Sequence, residues 1–579
     1  MEIEERQPVP AGSGRAGPAG PRPAEPVGAQ PPEPSGPRRS PLGRGALIGA
    51  VAGCVVLGGV LVLLPSLDPG GAPRPAAGPV ARAVSAVGAG VPAALPDLAA
   101  LIDDRETRVR ARPRDDVSWA VLGVAYTEQG RRTAAAAYYP KAEKALRTSL
   151  SVRPKDNVAA LEGLASLADA RGDFRTAKQW GEAAVKLSPK RWTTYPTLID
   201  AYTGLGDHKA VDKALDKLLA LRSGPAARAV AARVYRDRGR REDAAAAISD
   251  AAAGAATPSE QAAFLQQAGD LAWERGDRQE SLDHYRAAVN TDADAYDALA
   301  GQGRALMALG RTSEALRAYQ AALAKRPTPR YALELGELYE KLGLGGAAGV
   351  QYDLLRELVR RESAEGVDDE LVLGLLEADH GDPQAAVRAL RAEWQRQPGI
   401  AVADALGWAL HRAGDDREAL GFAVRAMDTE HAGLVRSALY AYHRGRIERD
   451  LGLSGPARRH LTEALRINPY FSPLLVPEAQ QALAALGEPP AGGPPEESGE
   501  SGESGGSDGS DQSDQSDQPQ QSDQSRRSEG SDDAAGTAGA AGPSGAAESS
   551  GSSGSSAAPR TDSPGAADPA TAPGLPSAR

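Results

Sequence analysis

Among 579 residues there is one cysteine, with three methionines, four phenylalanines and seven histidines. Cys54 has no second thiol, so neither an intrachain disulfide nor a cysteine-based zinc site can form. None of His208, His284, His380, His411, His431, His443 and His460 lies three or four residues from another, the spacing a helix needs to chelate a metal. No block of lysine or arginine suggests nucleic acid. Gly301-Gln302-Gly303 lacks the third glycine of a phosphate-binding loop. Gly502-Glu503-Ser504-Gly505-Gly506 matches a nucleophile elbow, but without the strand and helix that would strain and expose the serine. These absences predict a chain that is not an enzyme and carries no metal or cofactor.

What is present is divided unevenly. Proline, glycine and alanine dominate residues 1–43, read as a disordered cytoplasmic tail. Serine, glycine, aspartate and glutamine dominate 489–579, a second disordered segment. From Pro489 onward there are 15 acidic and 4 basic residues, which is the whole net charge of −11; the rest carries 62 of each sign. The acidity therefore belongs to the tail. Between the two lie roughly 400 residues rich in alanine, leucine, arginine and glutamate. They are good helix formers, too many for one ordinary core, and call for a unit that grows by stacking.

Residues 45–67 carry no charge and are long enough to cross a bilayer as a helix. Arg38, Arg39 and Arg44 precede this span and Asp68 follows it. This bias predicts a single-pass protein of the cell membrane, with a cytoplasmic N-terminus and an extracytoplasmic array. Gly49 and Gly53 form a GxxxG match through which two copies could pair as a homodimer. Val51-Ala52-Gly53-Cys54 also resembles a lipobox, the alternative being a lipoprotein anchored at Cys54. The apolar run continues to Leu64, which favours a spanning helix. Residues 68–94, rich in proline, alanine and glycine, read as a flexible linker.

Glycines recur at Gly130, Gly172, Gly206, Gly239, Gly276, Gly310, Gly343, Gly381, Gly414 and Gly452, separated by 42, 34, 33, 37, 34, 33, 38, 33 and 38 residues. Around them stand Trp119, Leu122, Gly123 and Tyr126 in the first unit. The sixth has Leu299, Gly303, Ala315, Tyr319, Ala322 and Pro327, and the last Gly445, Ala457, Leu461, Ala464 and Pro469. Spacing and residues together resemble the tetratricopeptide repeat, whose period is about 34. The resemblance covers Asp116 to Tyr470 and implies an all-α fold: a solenoid of about ten helix-turn-helix units over residues 95–488. Each glycine would end a first helix in a left-handed turn. Pro154, Pro189, Pro327, Pro398 and Pro469 would block continuation of a second helix. Pro140 should kink one helix, Gly346 and Gly349 should weaken another, and Gly254 to Pro258 reads as a loosened joint. Residues 477–486 read as a capping helix.

The resemblance further implies that first helices line a concave groove that takes protein or peptide partners. Its positions map to Asp200, Arg233, Arg236, Asp270, Trp273, Arg304, Met307, Glu337, Trp408, His411, Tyr442, Arg446 and Arg449. Arg233, Trp273, Arg304, Trp408, His411, Tyr442 and Arg446 are the candidate partner-binding residues, since aromatics beside arginines commonly anchor interfaces. The lysine–asparagine clamp by which some relatives hold acidic chaperone C-termini is missing: Ala120, Val124, Glu162, Ser166, Pro196 and Asp200 occupy those places. The expected function is a membrane-anchored scaffold organising an envelope complex. The alternative is an accessory or regulatory subunit of a membrane enzyme or transporter.

Overall fold

A computed structural model describes residues 77–427 and 436–488. Residues 1–43 and 45–67, Cys54, the glycine pair Gly49 and Gly53, and the tail from 489 lie outside the described residues. No helix among the described residues is long and apolar enough to cross a membrane.

The described residues form 23 helices and no strand. Two precede the array, α1 (Pro79–Gly88) and α2 (Leu95–Ala111). Ten hairpins follow. The first five are α3 (Asp116–Thr133) with α4 (Tyr138–Val152), α5 (Val158–Ala170) with α6 (Phe174–Leu187), α7 (Thr194–Gly204) with α8 (His208–Leu221), α9 (Pro225–Asp237) with α10 (Arg241–Ala253), and α11 (Pro258–Glu274) with α12 (Arg278–Thr291). The next five are α13 (Tyr296–Ala308) with α14 (Thr312–Lys325), α15 (Pro329–Lys341) with α16 (Gly345–Ser363), α17 (Glu370–His380) with α18 (Pro383–Arg396), α19 (Ile400–Arg412) with α20 (Asp416–Met427), and α21 (Ala438–Asp450) with α22 (Ser454–Ile467). Helix α23 (Leu475–Ala485) caps the end.

Small residues on first helices let second helices approach closely. A Cβ on Gly301 would meet the Tyr285 ring at 2.5 Å, and one on Gly303 the Tyr319 ring at 2.6 Å. One helix is thus wedged between tyrosines of two hairpins, which is why the core runs on from unit to unit. Asp115, Asn157, Asp173, Asp207, Thr257, Thr328, Asp382 and Ser437 cap first or second helices through their side chains.

Several expectations need correction. Eight of the ten recurrent glycines take positive φ, but Gly130 stays helical and Ala134 turns the chain instead, at φ 50°. This leaves α3, at 18 residues, the longest first helix among the described residues. Pro140 sits in the first turn of α4, where a missing N–H costs nothing, and causes no interruption. Helix α16 runs through Gly346 and Gly349. Packing continues across Gly254, with Ile248 and Ala251 in one cluster with Phe264 and Leu271.

The 68–94 linker is also corrected from residue 79 onward. Helix α1 buries Ala83 and Ala86, and Val91, Ala93, Leu98 and Leu101 join them against Ile248, Ala251 and Phe264. Its composition looks like a spacer, but Val80, Ala83, Val84 and Val87 recur at helical spacing on one side.

The largest departure from an open solenoid is that later units touch earlier ones. Arg326 donates to the Arg131 carbonyl at 3.0 and 3.2 Å, and Asn468 Nδ2 to the Trp273 carbonyl at 2.8 Å. Both span 195 residues. Gln397 donates from Nε2 to the Gly172 carbonyl at 2.8 Å and accepts through Oε1 from the Phe174 N–H at 2.7 Å. Arg326, Gln397 and Asn468 are each the last residue before a unit-ending proline. Proline holds the preceding residue extended, here with φ of −139°, −143° and −151°, so its side chain leaves the helix axis. Arg131, Gly172 and Trp273 lie at the ends of first helices, where carbonyls lack a partner within the helix. The winding superhelix thus satisfies the helix ends of one turn with pre-proline side chains of the next.

Gln397→Ala leaves the Gly172 carbonyl and the Phe174 N–H without these partners. It should destabilise the array by about 1–3 kcal/mol. Arg153→Ala, at the same pre-proline position of the first unit but 53% exposed, should stay within about 0.5 kcal/mol. Thermal or urea unfolding of the two variants checks this.

Candidate functional site

The concave side carries one repeated position, the sixth residue before each turn glycine, and its charge alternates. It reads Asp200, Arg233, Asp270, Arg304, Glu337 in five consecutive units. Equivalent side chains on adjacent stacked helices are neighbours, so opposite signs meet. Arg233 bridges Asp200 at 2.8 Å and Arg304 approaches Asp270 at 4.0 Å. The pattern breaks at Glu337, because Leu375 follows it and Arg304 is already engaged by Glu334 at 3.0 Å.

Second-helix tyrosines reach through the core to this surface. Tyr285 donates to Asp270 at 2.7 Å and Tyr319 to Glu334 at 2.9 Å. Arg330 adds a second bridge to Glu334 at 2.9 Å. Enclosure opposes the Glu334 charge, yet Arg304 and Arg330 outweigh it and hold this carboxyl down to about 2. Glu337 has the opposite fate. Enclosure, then the neighbouring Asp379, Glu334 and Glu340, push it up to about 8.

Because later units close over earlier ones, this surface bounds a cavity of about 630 Å³ rather than an open trough. Arg236, Asp270, Trp273, Arg304, Met307 and Glu337 line it. Leu371, Leu375, Leu439 and Phe471 add apolar lining. Tyr440, Asp404 and His443 also line it, with His443 Nδ1 2.9 Å from Asp404.

The candidate residues divide accordingly. Trp273 and Arg304 border the cavity, the guanidinium lying 5.7 Å from the indole centroid. Arg233 lies one unit earlier, paired with Asp200. Trp408 and Tyr442 are corrected from groove anchors to core residues, 1% and 0% exposed. Trp408 stacks on His443 at 4.2 Å and donates to Asp379 at 3.0 Å. Tyr442 donates to Glu478 of the capping helix at 2.9 Å. Arg446 bridges the same carboxylate at 2.7 Å, and His411 Nδ1 lies 2.5 Å from Asp416. These four hold the last units and the cap together. Their sequence positions matched the groove register, but a large aromatic at a first-helix position packs sideways when small residues such as Ala405 and Ala441 surround it. Glu334, Arg330 and Tyr440 were not singled out in the sequence. The Arg330 and Glu334 spacing of four was the available signal for the first two.

Trp408→Ala should therefore lower stability by about 3–5 kcal/mol, as removal of a core indole does. An unfolding midpoint equal to that of the unmodified chain would contradict the placement.

Residues 139–191, 267–327 and 300–358 match the family model of the tetratricopeptide repeat. Residues 82–164 match that of the bacterial transcriptional activator domain. No curated protein matches the chain. Among solved structures, the human IFIT1 dimer with PPP-AAAA is similar at 17% identity, covering 54% of this chain and 73% of that one, with a TM-score of 0.38. A tetratricopeptide repeat protein from Parabacteroides merdae is similar at 18% identity, covering 44% and 96%, with a TM-score of 0.28. Yeast Tom70 is similar at 12% identity, covering 63% and 96%, with a TM-score of 0.29. The family-model segments coincide with hairpins that the glycine spacing delimits and the helices realise, and on that agreement the chain is a tetratricopeptide-repeat protein.

Proposed function

We propose that this protein is a scaffold that holds a segment of a partner protein in the cavity between its superhelical turns. It would act in the cell membrane, as a single-pass protein anchored through residues 45–67, with the array extracytoplasmic, and organise an envelope-associated complex. The observation that carries the binding reading is the convergence of Asp270, Arg304, Glu334 and Glu337 from three stacked first helices on one cavity that leucines and Phe471 also line. Such a site offers directional polar contacts and desolvation together, the combination that gives a short segment both affinity and register. The anchor reading rests on the uncharged span and the arginines before it. No catalytic role is part of the proposal; in the cavity Glu334 pairs with both Arg304 and Arg330.

Affinity purification from detergent-solubilised membranes tests this, comparing the native chain with Met307→Trp, which narrows the cavity, and with Glu337→Arg, which puts a cation where the unpaired carboxyl stands. A partner recovered with the native chain should fall at least about tenfold in both variants, roughly the loss of one well-placed contact. Equal recovery in all three would place binding on the tails or the convex face. Equimolar recovery of one integral membrane protein would identify the array as a subunit of that protein's complex.

A further inference from the structure

Beside the contact between superhelical turns stand two acids, Glu362 and Asp369, each with a carboxyl oxygen buried and without a hydrogen-bond partner. The loop joining α16 to α17 seats on the first turn. The Asp368 N–H donates to the Arg171 carbonyl at 2.7 Å, and Val367 packs against the cluster of Leu122, Tyr139 and Leu146. Two carboxyl pairs flank this loop and differ in one respect. Between Asp368 and Glu393 stand donors: Gln397 Nε2 lies 3.3 Å from Asp368 and 2.8 Å from Glu393, and Arg396 bridges Asp368 at 2.7 Å. Between Glu362 and Asp369 there is none. Glu362 is 7% exposed, and both its Oε1 and Asp369 Oδ2 are buried without a hydrogen-bond partner.

An ionised carboxylate only accepts, so two of them facing each other away from water repel unless one carries a proton. The groups around the pair do not replace that proton. Arg361, on the same helix as Glu362, and Arg326, at the end of α14, favour the ionised carboxyl of Glu362. Arg326 is committed to the Arg131 carbonyl and to Asp297. Tyr139 faces the pair from α4, and Asp368 and Glu370 add like charge beside Asp369.

We propose that Glu362 and Asp369 share one proton, and that this proton latches the second superhelical turn onto the first, so that its loss in mildly alkaline solution releases the seam. Burial, then the Asp369 charge, push the Glu362 carboxyl up to about 8. Burial also raises that of Asp369. The closed form thus keeps a proton that the unfolded chain releases near the ordinary glutamate value. The latch is complete at and below that value, weakens as pH rises above it, and is lost as pH passes through about 8. The inference does not depend on what the cavity binds, because its readout needs no partner.

The test is hydrogen–deuterium exchange of the full chain at pH 6 and pH 9, with rates corrected for intrinsic amide chemistry. Protection of the Asp368 and Phe174 amides, both hydrogen-bonded across the seam, should fall at least about tenfold at pH 9 while amides inside α13 stay protected. Glu362→Gln, which can donate permanently to Asp369, should retain seam protection at pH 9. Asp369→Asn provides the same donor from the other side should the first variant fail to fold. Seam protection unchanged with pH in the unmodified chain would overturn the proposal. So would a loss that both variants share, or one that runs equally through α13.

Discussion

The hydrogen bonds between superhelical turns are the constraint on which the rest depends. A stack of helical hairpins winds because each interface is slightly rotated, and nothing in that stacking requires one turn to meet the next. Here they meet. Among the donors are Arg326, Gln397 and Asn468, each held extended by the proline that follows, and their acceptors are carbonyls at the ends of first helices. The Trp273 carbonyl also accepts from the Gly276 N–H at 2.9 Å. The seam combines polar contacts, which fix its register, with apolar packing of Val367 on Leu122, Tyr139 and Leu146 and of α1 and α2 on α10 and α11.

Closure changes what the concave surface is. In an open solenoid the alternating Asp200, Arg233, Asp270, Arg304 and Glu337 would be a solvated stripe with weak ion pairs. Where the turns close, Arg304, Glu334 and Glu337 are crowded by protein, while the Asp200 and Arg233 side chains stay 36% and 35% exposed, and the balance of neighbouring charges decides which groups stay ionised. Glu334, served by two arginines and a tyrosine, remains a carboxylate. Glu337, left without a partner where the alternation ends, holds its proton far above the ordinary range. The cavity thus presents one polar group whose needs the chain does not meet, beside leucines and Phe471.

The hairpins and their boundaries were legible in the sequence because glycine and proline act locally. A left-handed turn at Gly310 or a chain stop at Pro327 needs no tertiary information. The charge ladder was legible too, since Asp270 and Arg304 fall in the repeat register. Closure was not. Arg153 and Arg326 both precede a unit-ending proline, yet only the second reaches a helix end of another turn; the distinction lies in superhelical pitch, a sum of many small rotations. For the same reason Trp408 and Tyr442 resembled groove residues. Their register matches that of Arg304 or lies close to it, but with Ala405 and Ala441 beside them the indole and phenol rings fold inward rather than outward. Helix α1 was hidden by composition, since alanine and glycine serve a spacer and a tightly packed helix equally well.

Disulfide trapping across the seam tests the central claim most directly. A Cβ built on Gly172 would lie 3.3 Å from that of Asp368, a little inside the usual disulfide separation, and the φ of +75° there would cost a cysteine about 1–2 kcal/mol. With Cys54→Ser as background, the chain carrying Gly172→Cys and Asp368→Cys should form an intramolecular bond under mild oxidation. If both thiols instead stay free and reactive in the folded chain, the turns do not meet, and the enclosed cavity does not exist as described.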